Sequence, residues 1–185
     1  SGCDSVLQRM GRGYSIRQYE DAVDSVRSAI TDIAIAADVI VGFPGESEAY
    51  FEQSYRFCES MRFAGLHIFP YSMRPGTTAN RMRDSVPEKV RKARSQRMLE
   101  MAKQSAYEFR QHFIGETVAV LWEGQKEDNI WVGHTDNYLE VFAESERLLN
   151  NCLVMTKLVG EHGQGLKGVL DYSMAVRPKE CEGND

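Results

Sequence analysis

One long helical stretch divides this sequence into two parts of different texture, and any fold has to respect that division. The stretch VPEKVRKARSQRMLEMAKQSAYEFRQHFIG opens with Pro87, a residue suited to a first helical position, and stops at Gly115. Val90, Met98, Met101, Ala102, Phe109 and Phe113 give it an irregular apolar stripe. A helix of about 27 residues is about 40 Å long, enough to join two lobes. Before it, a helical pattern over 19–30, with Val23, Val26 and Ile30 on one face, leads into a buried strand over 33–41. The same order recurs as a helix over 47–61 and a strand over 66–71, which suggests part of a βα barrel or an open parallel sheet. After Glu116 the runs TVAVLWEG, NIWVGHTD, YLEVFAE, CLVMTKLVG and GLKGVL read as five short strands separated by turn residues. That texture predicts a small β-barrel.

The junction VIVGFPGES fits two readings. Apolar residues run into Gly42, Pro44 and Gly45, and Ser47 opens the next helix. Gly and Pro are the ordinary means of turning a chain, so a plain strand-to-helix turn accounts for the stretch. A loop holding a cofactor against bare backbone is the other reading. The barrel aromatics Trp122, Trp131, Tyr138 and Phe142 are expected in the core, since a small core needs large side chains. The alternative is that one or two of them stack on unpaired bases.

Composition narrows the function class. With 42% hydrophobic and 26% charged residues the 185-residue chain reads as globular. No apolar run approaches the roughly 18 residues of a membrane span, so a cytoplasmic setting with no membrane partner is expected. Cys3, Cys58, Cys152 and Cys181 lack the short spacings of metal and redox motifs and are expected to be unconnected thiols, and the four histidines are equally scattered. No metal site is expected within the chain. The net charge of -5 argues against a general nucleic-acid coat, yet residues 86–112 carry seven basic side chains against three acidic ones. That local stripe either meets phosphates or solvates a helix face.

Taken in order, SGCDSVLQRMGR, VIVGFPGE, HIFPYSMRPGTTANRM, VPEKVRKARSQRM and the segment from GETVAVLWEG to GLKGVL resemble the radical S-adenosylmethionine methylthiotransferases that modify transfer RNA. The likeness reaches about Leu170, with Cys3 standing where the family often has Ser. It implies an α/β fold: the C-terminal part of a radical-SAM partial βα barrel over 1–85, a linking helix over 86–114, a TRAM-type β-barrel over 115–178 and a tail over 179–185. The phrase LHIFPYSMRPGTTANRM is most similar to the branch acting on threonylcarbamoyladenosine beside the anticodon. The branches acting on isopentenyladenosine or on a ribosomal protein are the alternatives.

The family's chemistry uses S-adenosylmethionine and two 4Fe-4S clusters, one generating a radical and the other delivering sulfur. None of the four cysteines matches the cluster motifs, so the resemblance implies a missing N-terminal part of the same protein as partner and an isolated chain that is inactive. It further implies that VIVGFPGE lies against the cofactor adenine, keeping Ile40, Gly42 and Glu46 but carrying Asp38 in place of a first Gly. The implied cofactor-facing set is Ser1, Arg12, Asp38, Gly42, Phe43, Tyr71 and Ser72, with no catalytic residue assigned. At Gly42 the expected reason is space for the base. For transfer RNA the expected contacts are Arg94, Arg97, Lys157 and Lys167 on phosphates and Tyr138 on a base. A different class of function, an RNA-binding module without catalysis, fits the isolated chain. A metabolic α/β enzyme with a fused regulatory barrel is a third reading.

Overall fold

The computed structural model describes residues 1–174. The expected end of the barrel domain at 175–178, the tail 179–185 and Cys181 lie outside the described residues. The chain separates into two compact units, Ser1–Ala106 and the residues from Tyr107 onward, so the division falls inside the long helix.

In the first unit a short helix α1 (Asp4–Arg9) leads to α2 (Ile16–Ala29). A reciprocal capping box fixes the start of α2: Gln18 N–H donates to Ser15 Oγ at 3.2 Å and Ser15 N–H donates to Gln18 Oε1 at 2.9 Å. Strand β1 (Ala36–Val41) pairs in parallel with β2 (Gly65–Pro70), and Val39 faces Ile68 in register. Between them α3 (Glu48–Ser60) is capped by Ser47, whose hydroxyl accepts from Tyr50 N–H. Helix α4 (Glu88–His112) starts one residue later than the sequence suggests, because Pro87 acts as the cap and its carbonyl accepts from Arg91 N–H. β1 likewise begins at Ala36, three residues inside the expected run.

The strand period of two sorts the sheet into two faces. Val39, Val41 and Leu66 point into a core with Val23 of α2, Phe51 and Cys58 of α3, and Met98, Met101 and Ala102 of α4. On the opposite face Asp38, His67 and Phe69 are exposed. A parallel sheet is normally covered on both faces, so this bare face is an unusual feature. Burial of Cys58 pushes its thiol up to about 11. Cys3 and Cys58 are free, whereas Cys152 is disulfide-bonded, which corrects the expectation of unconnected thiols at that position.

The second unit is a closed barrel of β3 (Thr117–Glu127), β4 (Ile130–Thr135), β5 (Glu140–Glu144), β6 (Cys152–His162) and β7 (Gly165–Asp171), in the order β3-β4-β5-β7-β6. β6 closes back on β3, and only the β5–β7 pair is parallel. All five expected strands are present, which gives the TRAM-type architecture after an α/β unit. Trp122 and Trp131 fill the core with Val120, Val141, Val154 and Leu158. Phe142 is buried outside that core, beneath Lys126 and His162, and Tyr138 is 86% exposed. The irregular stripe of α4 has a simple cause: Met98, Met101 and Ala102 serve the first core, while Phe109 and Phe113 serve the second. Beyond the helix, Gly115 takes φ +101° and donates its N–H to Leu158 O.

Candidate functional site

At the carboxyl ends of β1 and β2 the chain forms a cavity of about 530 Å³. Parallel strands place their ligand sites at this end, where loops rather than ladder carry the side chains. Ser1, Arg12, Asp38, Phe43, Tyr71 and Ser72 all line the cavity. The structure thus brings together the whole implied cofactor set except Gly42. Phe43 follows β1 and Tyr71 follows β2, and their rings meet edge to face at 5.3 Å. Tyr71 N–H donates to Val41 O at 2.8 Å, which extends the ladder by one residue and fixes the ring's origin. Arg12 is set by its N–H to Leu7 O at the end of α1. Asp38 sits opposite His67 in register, with Oδ1 and Nδ1 at 3.0 Å.

Gly42 serves a different purpose from the expected one. It takes φ +75°, and a Cβ there would collide with the Arg91 side chain of α4 rather than with a ligand in the cavity. Arg91 uses the vacated space to donate from Nη1 to Tyr71 O at 3.1 Å. The rest of the loop is tied from beneath. Gly42 N–H donates to Glu46 Oε1 at 2.9 Å, and Arg94 Nη1 donates to both the backbone oxygen and Oε1 of Glu46 at 2.9 Å. Arg9 Nε donates to Pro44 O at 3.0 Å, and its Nη2 reaches Asp84 at 3.0 Å. VIVGFPGES is therefore a braced turn whose Phe43 faces the cavity. Burial raises the Glu46 pKa, opposed by the Gly42 N–H and by Arg94.

Arg94 corrects the expected RNA set. It is 6% exposed, ion-paired to Glu46 and Glu48, and lies over the Phe51 ring, so no face of it is open to a phosphate. Arg97 is half exposed but donates to Glu52 and stacks on Phe51 and Tyr55. Arg91 is committed to Tyr71 O, and Lys92 to Glu88 at 2.7 Å. Lys157, Lys167 and Tyr138 are exposed on the barrel, with Lys167 3.7 Å from Glu144.

Sequence reasoning missed Phe69, Arg74, Thr77 and Ala79 in the cavity lining, and noted Ile40 only as part of the VIVGFPGE pattern. The alternation of β1 and β2 could have found Phe69 and assigned Ile40, since they share the face of Asp38 and His67. No spacing rule announces Arg74, which is brought in by a turn in which Thr77 Oγ1 donates to Arg74 O at 2.8 Å.

A threonylcarbamoyladenosine tRNA methylthiotransferase of Bacillus subtilis is 36% identical over 163 residues, covering 86% of this chain and 36% of that protein. A protein of the same name from Thermotoga maritima is 37% identical over 163 residues, 88% of this chain and 38% of its own length. A tRNA-2-methylthio-N(6)-dimethylallyladenosine synthase of Chloroflexus aurantiacus is 36% identical over 186 residues, 97% of this chain and 40% of its own length. By sequence, the chain belongs to the radical S-adenosylmethionine methylthiotransferase family. It spans two fifths or less of the length of these methylthiotransferases. No protein-family model matches the chain.

The family implies two kinds of cofactor, and the residues fit them unequally. For S-adenosylmethionine the cavity has a suitable volume, an aromatic wall, and two buried hydroxyls, Ser1 Oγ and Tyr71 OH, that lack any hydrogen-bond partner. For an iron-sulfur cluster the fit fails within this chain: among the described residues no three His, Cys, Asp or Glu side chains converge as ligands. Among those residues, too, no helix is long and apolar enough to cross a membrane.

Proposed function

We propose that this chain is part of a transfer-RNA methylthiotransferase, supplying one wall of the S-adenosylmethionine site and an RNA-gripping barrel. The observation that carries the reading is the gathering of Ser1, Arg12, Asp38, Phe43, Tyr71 and Ser72 around one cavity. Those residues were chosen from family likeness alone, and they are scattered over 72 positions of sequence. Phe43, Tyr71 and Ile40 would offer an adenine an apolar wall, and Arg12, Ser1 and Ser72 would meet its polar substituents. When bound, S-adenosylmethionine supplies the radical that removes a hydrogen from the base, together with the methyl group. The braces on Glu46 and Pro44 hold Phe43 still while the cofactor is seated, so little ordering remains to oppose binding.

The cluster ligands belong, on this reading, to an N-terminal part of the same protein, and the chain by itself is inactive. Support comes from the bare face of the β1–β2 sheet, where Phe69 is 49% exposed, and from the span of the chain relative to its relatives. The functional boundaries follow as 1–85 for the cofactor wall, 86–114 for the linking helix and 115–178 for the barrel. Transfer RNA is the macromolecular partner, met by Lys157, Lys167 and Tyr138, and the setting is the cytoplasm. We assign threonylcarbamoyladenosine as the base, supported by the Bacillus subtilis and Thermotoga maritima relatives. Dimethylallyladenosine is the second reading, supported by a match that reaches 97% of the chain.

A chimera tests the proposal. This chain replaces the matched segment of the Bacillus subtilis relative in a strain lacking that enzyme, and transfer-RNA nucleosides are measured by mass spectrometry. Methylthiolated threonylcarbamoyladenosine is the expected product, and methylthiolated dimethylallyladenosine would move the chain to the second reading. A folded chimera that leaves both bases unmodified, while the chain binds transfer RNA, would reduce it to a binding module.

A further inference from the structure

The described part of the second unit, 107–174, holds five lysines and arginines against eleven aspartates and glutamates, a poor composition for a surface that grips phosphates. The charge is unevenly spread. Strands β6 and β7 carry two cations, Lys157 and Lys167, and two anions, Glu161 and Asp171, and Asp171 already accepts from Ser173 Oγ at 2.6 Å. The remainder of the unit holds three cations against nine anions. RNA therefore meets least repulsion on the outer face of β6 and β7. An aromatic pair stands at the edge of that face. Val141 and Ala143 point into the barrel core, so alternation puts Phe142 between them on the outside of β5. An outward Phe is ordinarily exposed, yet Phe142 is buried. Its ring lies over Gly165, where a Cβ would meet Phe142 Cε2 at 2.9 Å, and beneath His162 and Lys126. His162 pairs with Gly165 at the mouth of the β6–β7 hairpin, and its ring centroid is 4.5 Å from that of Phe142. Lys126 Nζ is 4.9 Å from the Phe142 centroid, and Lys167 is the register partner of Phe142 on β7. Glu144 stands 3.7 Å from Lys167, a loose, exposed pair that a phosphate can replace. His162 itself is exposed. The result is an accessible ring backed by a buried one, beside three of the unit's five cations.

We propose that His162, backed by Phe142, is a stacking platform for an unpaired base of the RNA, and that Lys126, Lys157 and Lys167 take the phosphates on either side of it. The inference rests on the reading of the barrel as RNA-gripping, and deepens it to one face, to a pair of aromatic residues and to single-stranded rather than duplex RNA. A base offers its flat face to a side chain only when it is out of a duplex, and His is among the side chains on which such bases stack. The backing ring limits the freedom of His162 before RNA arrives, so less ordering opposes the contact. Exposed Val159 and Val169 continue the apolar surface between the lysines, Val169 being the register partner of Lys157.

Fluorescence anisotropy tests the platform, using the full chain with a short labelled single-stranded RNA and with the same strand annealed to its complement. The proteins are the wild type, His162→Ala, His162→Tyr, Phe142→Leu, Lys126→Ala and, as a control on α4, Lys103→Ala. His162→Ala should weaken single-strand binding about tenfold, and His162→Tyr should restore it, since a phenol ring stacks as an imidazole does. Phe142→Leu, which removes the backing ring, should weaken it in the same direction. Lys126→Ala should lower the slope of affinity against salt by about 0.7, the share of one phosphate contact on a single strand. Lys103→Ala should change nothing, and the duplex should bind more weakly and without regard to residue 162. Thermal melts of each variant separate stacking from support of the hairpin. If His162→Ala and His162→Tyr lose affinity alike, if the losses follow the melting temperatures, or if the duplex loses as much as the single strand, the platform is overturned. Single-strand binding that none of these variants weakens also overturns it, and leaves the RNA-gripping barrel standing on other residues. If neither RNA binds a chain whose circular dichroism is native, both readings are refuted.

Discussion

Arg94→Ala should destabilise the first unit far more than any other change in the basic stripe of α4. The substitution removes two hydrogen bonds from Nη1 to Glu46 at 2.9 Å, one from Nη2 to Glu48 at 2.8 Å, and the contact over Phe51 at 5.1 Å. Glu46 is 4% exposed and would keep only the Gly42 N–H as a partner. Breaking one side of a buried pair costs about 3–5 kcal/mol, whereas the exposed Glu48 arm adds about 0–1 kcal/mol. Urea unfolding followed by far-ultraviolet circular dichroism reads the helices, and Trp122 and Trp131 report the barrel separately by fluorescence. Arg97→Ala should cost about 1 kcal/mol or less, because its Glu52 pair is exposed. Adding Glu46→Gln to Arg94→Ala should recover much of the loss, since no buried charge is then left unpaired. The pH dependence has a definite sign. Burial already raises the Glu46 pKa, and losing Arg94 raises it further, so the folded variant holds the proton more tightly than the unfolded chain. Its deficit is therefore greatest at neutral pH and shrinks as pH falls toward the ordinary carboxylate range. A loss below about 1 kcal/mol, or a deficit that grows on acidification, would refute the reasoning.

Gly42→Ala should lower stability by about 1–3 kcal/mol through its positive φ and the Arg91 stem, and Arg91→Ala in the same background should relieve only the steric part, as read from urea midpoints. Cys58, pushed up to about 11 by burial, should make the wild type lose about 2–3 kcal/mol relative to Cys58→Ala between pH 9 and pH 11, the window set by its ordinary and folded values. A flat difference across that range in alkaline unfolding curves would contradict it. Trp122→Ala should cost about 3–5 kcal/mol and Tyr138→Ala about 0.5 kcal/mol or less, a contrast that fluorescence melts would expose directly. Replacing Lys157 and Lys167 together by Ala should weaken transfer-RNA binding and flatten its salt dependence by up to about two counterions, measured by filter binding across a salt series.

Much of this fold was legible because periodicity reports burial, and burial is what these elements share. Strands β3, β4 and β6 alternate around Val120, Trp122, Trp131 and Val154, so their pattern survives in sequence. The start of α2 was legible in principle and overlooked: Ser15 and Gln18 have capping-box spacing, which places the helix start at Ile16, three residues before the expected start at 19. The cavity set was reached through likeness to a family, and Gly42 shows the limit of that route. The glycine was identified correctly as special, but the atom filling its vacant space belongs to Arg91, 49 positions away. Only a folded chain supplies that contact. Ile40 and Phe69 were available from alternation, whereas Arg74 depends on a loop that no period governs.

The basic stripe of α4 shows why a charge run does not name its own partner. Seven cations against three anions on one helix read as a surface for phosphates. The count omitted Glu46, Glu48 and Glu52, which begin and line α3 and face the arginines of α4. Paired with them, Arg94 and Arg97 become braces for the turn that carries Phe43, and the helix supports the cavity wall through Arg91 and Arg94 rather than through its exposed charge.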